Sequence, residues 1–196
     1  MAMDNLVIKV INPQFIYSVP RLALMRKLNP EIAFIGRSNA GKSSLLNSLC
    51  QKKDLARTSK TPGRTRHAVV YGASFLDHEQ KDLTLVDLPG FGFASMSKTE
   101  ASECEKLIFS YLQNREELKK IILILDIRRD LDERELKIIE IAHKRDIELV
   151  LVLTKADKVP LAKRKPILNK FKGLRVLLHS NQIEELTEKI REVLIA

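Results

Sequence analysis

Glu31-Ile32-Ala33-Phe34-Ile35-Gly36-Arg37-Ser38-Asn39-Ala40-Gly41-Lys42-Ser43-Ser44-Leu45-Leu46 reads as a buried strand, a loop bounded by two glycines, and the first turns of a helix. Residues 36–43 match the pattern G-x-x-x-x-G-K-[ST], in the strand-to-helix position that the pattern requires. Glycine lets the backbone curl, so the amides of Arg37, Ser38, Asn39, Ala40 and Gly41 and the helix N-terminus can surround a phosphate chain. Lys42 is placed to reach the outer phosphates, and the Ser43 hydroxyl to bind Mg²⁺.

Outward from this loop, short β-rich runs alternate with segments of helical period. Strands are predicted at 31–35, 67–75, 83–87, 121–126, 148–153 and 174–178, and helices at 42–50, 98–117, 131–145 and 160–171. A last helix carries Ile183, Leu186, Ile190, Val193 and Leu194 on one face, with Asn181 and Glu184 as its N-terminal cap pair. The runs 67–75 and 83–87 are too close for a crossover helix, so they should pair antiparallel. The pattern predicts an α/β fold in three layers: a mixed, mostly parallel sheet of about six strands with helices on both faces. Segment 6–19 can add an edge strand and 21–28 a short helix.

The 196 residues suffice for one well-packed domain. Apolar content of 44% excludes a disordered or collagen-like chain. Cys50 and Cys104 fit no metal or redox spacing and are read as reduced thiols. The four histidines show no ligand spacing. No apolar run approaches a membrane span and no secretory leader is evident, so a soluble, cytoplasmic protein without membrane partner is expected. Thirty-four bases against 25 acids leave a net charge of +9, which suits a polyanionic partner. The bases cluster: 158–175 holds Lys158, Lys163, Arg164, Lys165, Lys170, Lys172 and Arg175 and no acid, and 52–66 holds six bases against Asp54. Both runs border the expected nucleotide site, and read either as RNA-backbone contacts or as solvated faces.

Two further motifs close strands. Asp87-Leu88-Pro89-Gly90 ends the run 83–87, where an aspartate can support Mg²⁺ and the Gly90 amide can approach a γ-phosphate. Thr154-Lys155-Ala156-Asp157 ends the run 148–153. There a carboxylate can accept both N1–H and the exocyclic amine of guanine, while the Lys155 stem packs on the ring. Adenine has an acceptor at N1 and would lose both bonds. A P-loop ATPase would require this third motif to be coincidental.

In that order the three motifs resemble those of translation-factor-type GTPases. The segment Thr58-Ser59-Lys60-Thr61-Pro62-Gly63-Arg64-Thr65-Arg66, the run Asp87-Leu88-Pro89-Gly90-Phe91-Gly92-Phe93 and the compact length resemble the EngB-type bacterial GTPases, from about residue 31 to the C-terminus. The resemblance implies a P-loop GTPase fold over 1–196, one G domain on which 1–29 packs as an N-terminal extension, binding GTP or GDP. It implies that Thr65 joins Ser43 on Mg²⁺, and that Gly63, Arg64, Thr65, Arg66 and His67 close over the nucleotide, with Lys42, Thr65 and Gly90 at the reacting phosphate. It also implies a monomeric switch in large (50S) ribosomal subunit assembly, binding the subunit or its precursor through RNA and ribosomal proteins, and a link to cell division and septation. A protein-interaction module of the division machinery, hydrolysing GTP incidentally, is the alternative.

Three positions depart from or refine the pattern. Leu178-His179-Ser180 stands where related GTPases carry Ser-Ala-Lys or similar, and Ser180 is expected to offer its amide to the guanine carbonyl. Phe91 stands where Ras-type enzymes keep a water-orienting glutamine, so slow intrinsic turnover is expected, on the order of 10⁻⁴ to 10⁻³ s⁻¹. Asn39 reads either as an exposed turn residue or as the loop asparagine of potassium-activated GTPases, making K⁺ a candidate cofactor. Arg57, Arg64 and Arg66 read either as cis arginines or as a solvated basic loop. Phe91 and Phe93 read either as a partner anchor or as core.

Overall fold

The computed structural model describes residues 8–28, 30–56, 66–77, 79–92 and 97–196. In chain order it contains β1 (Lys9–Val19), β2 (Glu31–Gly36), α1 (Lys42–Leu49), β3 (Ala68–Leu76), β4 (Gln80–Asp87), α2 (Lys98–Asn114), β5 (Leu118–Asp126), α3 (Glu133–Lys144), β6 (Glu148–Thr154), α4 (Leu161–Asn169), β7 (Arg175–Leu178) and α5 (Glu184–Ile195). Short 3₁₀ turns occupy Leu22–Leu24, where a helix was expected over 21–28, and Ala156–Lys158.

The strands form one sheet in the order β1-β3-β4-β2-β5-β6-β7. Pairing is parallel from β4 through β2, β5 and β6 to β7, and antiparallel for β1 with β3 and β3 with β4. The sheet therefore has seven strands rather than about six. β1 is the addition. Its apolar pattern is broken at Asn12-Pro13, where Asn12 takes φ 52° and the pairing register shifts between Ile11 and Gln14. A bulge of this kind lets a strand absorb a proline and continue pairing at a sheet edge.

All six residues of β2 are buried, and successive side chains feed opposite cores. Ala33 and Ile35 pack with α2 and α3 residues such as Ile108, Tyr111 and Ile138. Ile32 and Phe34 pack with Leu45, Leu46 and Leu49 of α1 and Ile190, Val193 and Leu194 of α5. The helix starts are capped locally. Ser97 and Glu100 form a reciprocal capping box on α2, and Asp132 and Glu135 another on α3. The expected cap at Asn181 is absent. α5 begins at Glu184 with Ile183 at its N-cap, because the turn before it is closed instead by Ser180, whose carbonyl and hydroxyl accept from the amides of Ile183 (3.1 Å) and Gln182 (3.2 Å). Asn181 Oδ1 faces His179 Nε2 at 3.0 Å.

Long-range polar contacts lock the layers. Arg191 of α5 is fully buried and donates to the Leu49 carbonyl (2.9 Å) and to the Ser48 carbonyl, capping the negative end of α1. Both cysteines are free and buried. The carboxyl ends of β2, β4, β5, β6 and β7 share one edge of the sheet. Gly36, Asp87, Asp126, Thr154 and Leu178 stand there, which is where open α/β sheets bind ligands.

Candidate functional site

The phosphate loop is fixed by what its glycines touch. A Cβ on Gly36 would lie 2.4 Å from the Ile124 carbonyl oxygen of β5, so no side chain fits there. Gly41 takes φ 98°, a left-handed conformation that glycine adopts without strain. The loop is held from outside: Ser38 N donates to the Phe91 carbonyl (2.9 Å), Lys155 Nζ to the Asn39 carbonyl (2.8 Å), and the Thr154 hydroxyl lies against the Ala40 carbonyl. Gly41 provides no side-chain cap for α1, and the amides of Gly41, Lys42 and Ser43 have no acceptor among the described residues. Three amides aimed together from a helix N-terminus fit an anionic phosphate. Lys42 Nζ donates to Asp87 Oδ1 at the end of β4, and burial pushes the Asp87 carboxyl up against the pull of that ammonium. The half-buried Ser43 hydroxyl sits in the first turn of α1. A hydroxyl, a buried carboxylate and phosphate oxygens are the hard donors that Mg²⁺ takes, and the described residues hold no cluster of His, Cys, Asp and Glu that would make a protein-only metal cage.

At the end of β6, Lys155 adopts φ 57° and its ammonium bridges the Asn39 carbonyl and Asp126 Oδ2 (2.9 Å). Its stem is thereby stretched beside the phosphate loop. Asp157 stands two residues on. Lys158 Nζ lies 3.0 Å from its Oδ2 and the Ser180 hydroxyl donates to its Oδ1 at 3.0 Å. The Lys158 contact and the Ser180 hydrogen bond hold the Asp157 carboxyl below the usual range, so it is an ionised, oriented double acceptor at neutral pH. Ser180 is itself fixed by buried His179: the His179 amide donates to the Leu153 carbonyl (2.9 Å) and its carbonyl accepts from the Ala156 amide (3.1 Å). Burial lowers the His179 pKa, leaving a neutral ring between Asn181 and Thr187.

A phosphate cradle and an oriented carboxylate beyond it on the same sheet edge call for a guanine nucleotide, and similarity points the same way. A family model described as a 50S ribosome-binding GTPase matches residues 31–155. A probable GTP-binding protein EngB from Mesorhizobium japonicum is 40% identical over 152 residues, 76% of this chain and 72% of that protein. The EngB protein of Photorhabdus laumondii is 39% identical over 173 residues, 87% of this chain and 80% of its own length. The chain belongs to the EngB family of GTP-binding proteins. A solved probable EngB structure shares the fold, with a TM-score of 0.63 at 21% identity, covering 84% of this chain and 96% of that one. As an EngB-family member the chain is a GTPase.

Gly36 to Ser43, Asp87 to Gly90, Thr154 to Asp157 and Leu178 to Ser180 stand together at this edge of the sheet. Gly63, Arg64 and Thr65 lie outside the described residues. Arg66 and His67, which follow them, are exposed. Arg66 pairs with Glu100 of the α2 capping box (2.7 Å), and His67 Nδ1 meets the Ser18 hydroxyl (3.3 Å). Phe91 is buried in the core cluster on the α2 and α3 side of the sheet, in line with the second of its two readings; Phe93 lies outside the described residues. Asn39 is exposed at φ 61°.

Several residues were not legible as functional. Asn47 of α1 is buried, and its amide group binds the Lys53 and Ala56 carbonyls (2.6 and 2.9 Å) and the Ala56 amide (2.7 Å), tethering the chain just before the segment 57–65. Asp126 ends β5 and anchors Lys155; its position at a strand's carboxyl end was the available signal. The side chain of Arg37, whose amide belongs to the expected phosphate cradle, turns away from the loop's interior and pairs with Asp132 and with Glu135 (3.3 Å) at the start of α3. Burial pushes the Glu135 carboxyl up to about 7, whereas its hydrogen bond with Glu135 holds Asp132 at about 2. Glu135 has an ordinary value of 4.5, so from about pH 4.5 to 7 the folded protein keeps a proton that the unfolded chain releases, and stability falls as pH rises through that window. Glu135→Gln lacks this slope. Its melting temperature relative to the parent protein is expected to rise between pH 5 and pH 8 in a thermal-unfolding series; a difference independent of pH would refute the assignment.

Proposed function

We propose that this chain is a Mg²⁺-dependent GTP switch acting in assembly of the large ribosomal subunit, in the cytoplasm and as a monomer, with its loss impairing division and septation. The observation that carries the nucleotide reading is the pairing of the Gly41–Ser43 amides with the Ser180-oriented carboxylate of Asp157 on one sheet edge. In that reading the loop 36–43 holds the phosphates, Lys42 leaves Asp87 for the outer phosphates, and Asp157 with the Ser180 amide selects guanine. Ser43 and Thr65 would hold Mg²⁺, with Asp87 behind them. When bound, Mg²⁺ neutralises charge on the β- and γ-phosphates. Gly63 to His67 and the Gly90 amide would then close on the γ-phosphate, and hydrolysis would release them.

The ribosomal reading is supported by the family's description as 50S ribosome-binding GTPases and by the net charge of +9. Its test is co-sedimentation with purified large and small subunits, with GDP or a non-hydrolysable GTP analogue, at two salt concentrations. Binding to the large subunit that requires the analogue and weakens with salt is expected. Binding in neither nucleotide state would move the assignment to the division-linked protein partner. Turnover without partner is expected on the order of 10⁻⁴ to 10⁻³ s⁻¹, since Phe91 is in the core and orients no water. If Asn39 holds K⁺ at the phosphates, turnover in KCl exceeds that in NaCl at equal ionic strength; equal rates remove K⁺ from the mechanism.

A further inference from the structure

The seven bases of the acid-free run 158–175 are not equivalent in the fold. Lys158 is paired with Asp157, Lys170 with Asp130 (2.8 Å) and Arg175 with Glu148 (2.7 Å), and Arg164 donates to the Val159 carbonyl (3.0 Å). Lys163, Lys165 and Lys172 are exposed, and their ammonium groups have no hydrogen bond or ion pair among the described residues. Two of them project from α4, a helix that buries none of its residues, with Leu161 at its start 76% exposed; only Ile167 and Leu168 rest partly on the core. Of the paired bases, Arg164 and Lys170 hold α4 itself, whereas Lys163 and Lys165, two positions apart and so on opposite flanks of that helix, and Lys172 beyond it carry charge that no described carboxylate pairs with.

Position in the sheet decides when those lysines are available. α4 joins β6 to β7 at one end of the sheet, whereas Asp87 to Gly90 follow β4, which lies beyond β5 and β2 toward the other. The base-binding loop leads into α4 through the Ala156–Lys158 turn, whose Ala156 amide is bonded to His179. Neither the phosphate loop 36–43 nor Asp87 to Gly90 lies on that connection.

We propose that Lys163, Lys165 and Lys172 form an RNA phosphate-backbone anchor that is equally available with GDP and with GTP, so that nucleotide gating of ribosome binding arises elsewhere on the molecule. This rests on the ribosomal reading above. Lysines are mobile point charges with three donors each, suited to phosphates spaced along an A-form backbone, where recognition is by shape and charge. A protein partner's interface would call for aromatic and arginine anchors, and the free groups on and after α4 are lysines and one leucine.

The test uses the full chain and the variant Lys163→Ala/Lys165→Ala/Lys172→Ala, with a fluorescent 16-base-pair RNA duplex titrated across a salt series in GDP and in GTP analogue. The parent protein should bind the duplex, and the variant should lower the log–log salt slope by about 2 to 3, the value for three lost phosphate contacts, by the same amount in both nucleotide states. Unchanged GDP affinity and melting temperature in the variant establish that the fold is intact. An unchanged slope, a loss confined to one nucleotide state, or preferential binding of polyglutamate over the duplex overturns the anchor. Co-sedimentation separates the two readings. If the variant binds large subunits as the parent protein does, the anchor fails and the assembly role stands; if the parent protein binds the duplex through these lysines but no large subunit, the assembly role fails and the anchor stands.

Discussion

Asp157→Asn is expected to reduce the preference for guanine over xanthine nucleotides by about 10⁴-fold, because sites built on buried hydrogen bonds discriminate by roughly that factor. Asp157 accepts from Ser180 through Oδ1 and lies by Lys158 through Oδ2, which keeps both oxygens unprotonated. Guanine offers two donors to such a carboxylate. An asparagine can keep its oxygen toward the Ser180 hydroxyl, but then presents an amide N–H₂ where the carboxylate accepted from guanine. Xanthine has a carbonyl in place of the exocyclic amine, so the exchanged donor and acceptor suit the variant. Displacement of a fluorescent GDP analogue by GDP and by XDP measures the change, and unchanged guanine affinity would show that Asp157 does not touch the base. The phosphate loop is untouched by this substitution, so binding of XDP with Mg²⁺ is the internal control for folding.

Arg115→Ala should destabilise the protein by about 3–5 kcal/mol, the usual cost of leaving a buried charge unpaired. Glu31 opens β2, is fully buried, and receives the Arg115 guanidinium on both carboxylate oxygens and the Tyr111 hydroxyl on Oε2 at 2.7 Å. Arg115 also donates to the Arg26 carbonyl, so one side chain ties β2, the end of α2 and the segment after β1. Burial, with the Glu31 carboxylate beside it, raises the Tyr111 phenol well above its usual value, so Tyr111 stays a donor throughout the physiological range. For a chain of this length the loss corresponds to roughly 6–20 °C in melting temperature. The double change Glu31→Leu/Arg115→Met removes both charges and should recover most of that loss. A single variant within about 1 kcal/mol of the parent protein in urea unfolding would mean that water reaches the pair. The cluster lies at the amino end of β2, opposite the phosphate loop, so nucleotide affinity below the melting transition should be retained.

The elements and motifs were legible because they are local. The loop 36–43 advertises itself through two glycines and a lysine in eight residues, and the parallel strands through continuous β-branched and leucine runs. β3 and β4 were paired correctly from the brevity of the connection between them. What was misread turned on competition between local options. Asn181 with Glu184 looks like a capping box, but the turn built on Ser180 takes the same backbone and starts the helix three residues beyond Asn181. The edge strand expected over 6–19 is β1, whose break at Asn12-Pro13 is absorbed by a shift in its pairing with β3. Phe91 reads either way in sequence, and its burial in the core cluster becomes visible only in the fold.

The sequence by itself determined the phosphate loop, the order of the three nucleotide motifs, the α/β class and the uneven distribution of charge, since each depends on residues within a few positions of one another. The tertiary structure decided which charges are spent. Arg37 leaves the phosphate loop for Asp132, 95 residues away, Arg191 caps α1 across 142, and four of the seven bases in 158–175 are tied down while three stay free. Such pairings carry no local signature, because a lysine or arginine reads the same in sequence whether its partner is a carboxylate brought close by the fold or the solvent. Only the register of the sheet and the crossing of the helices above it fix that choice.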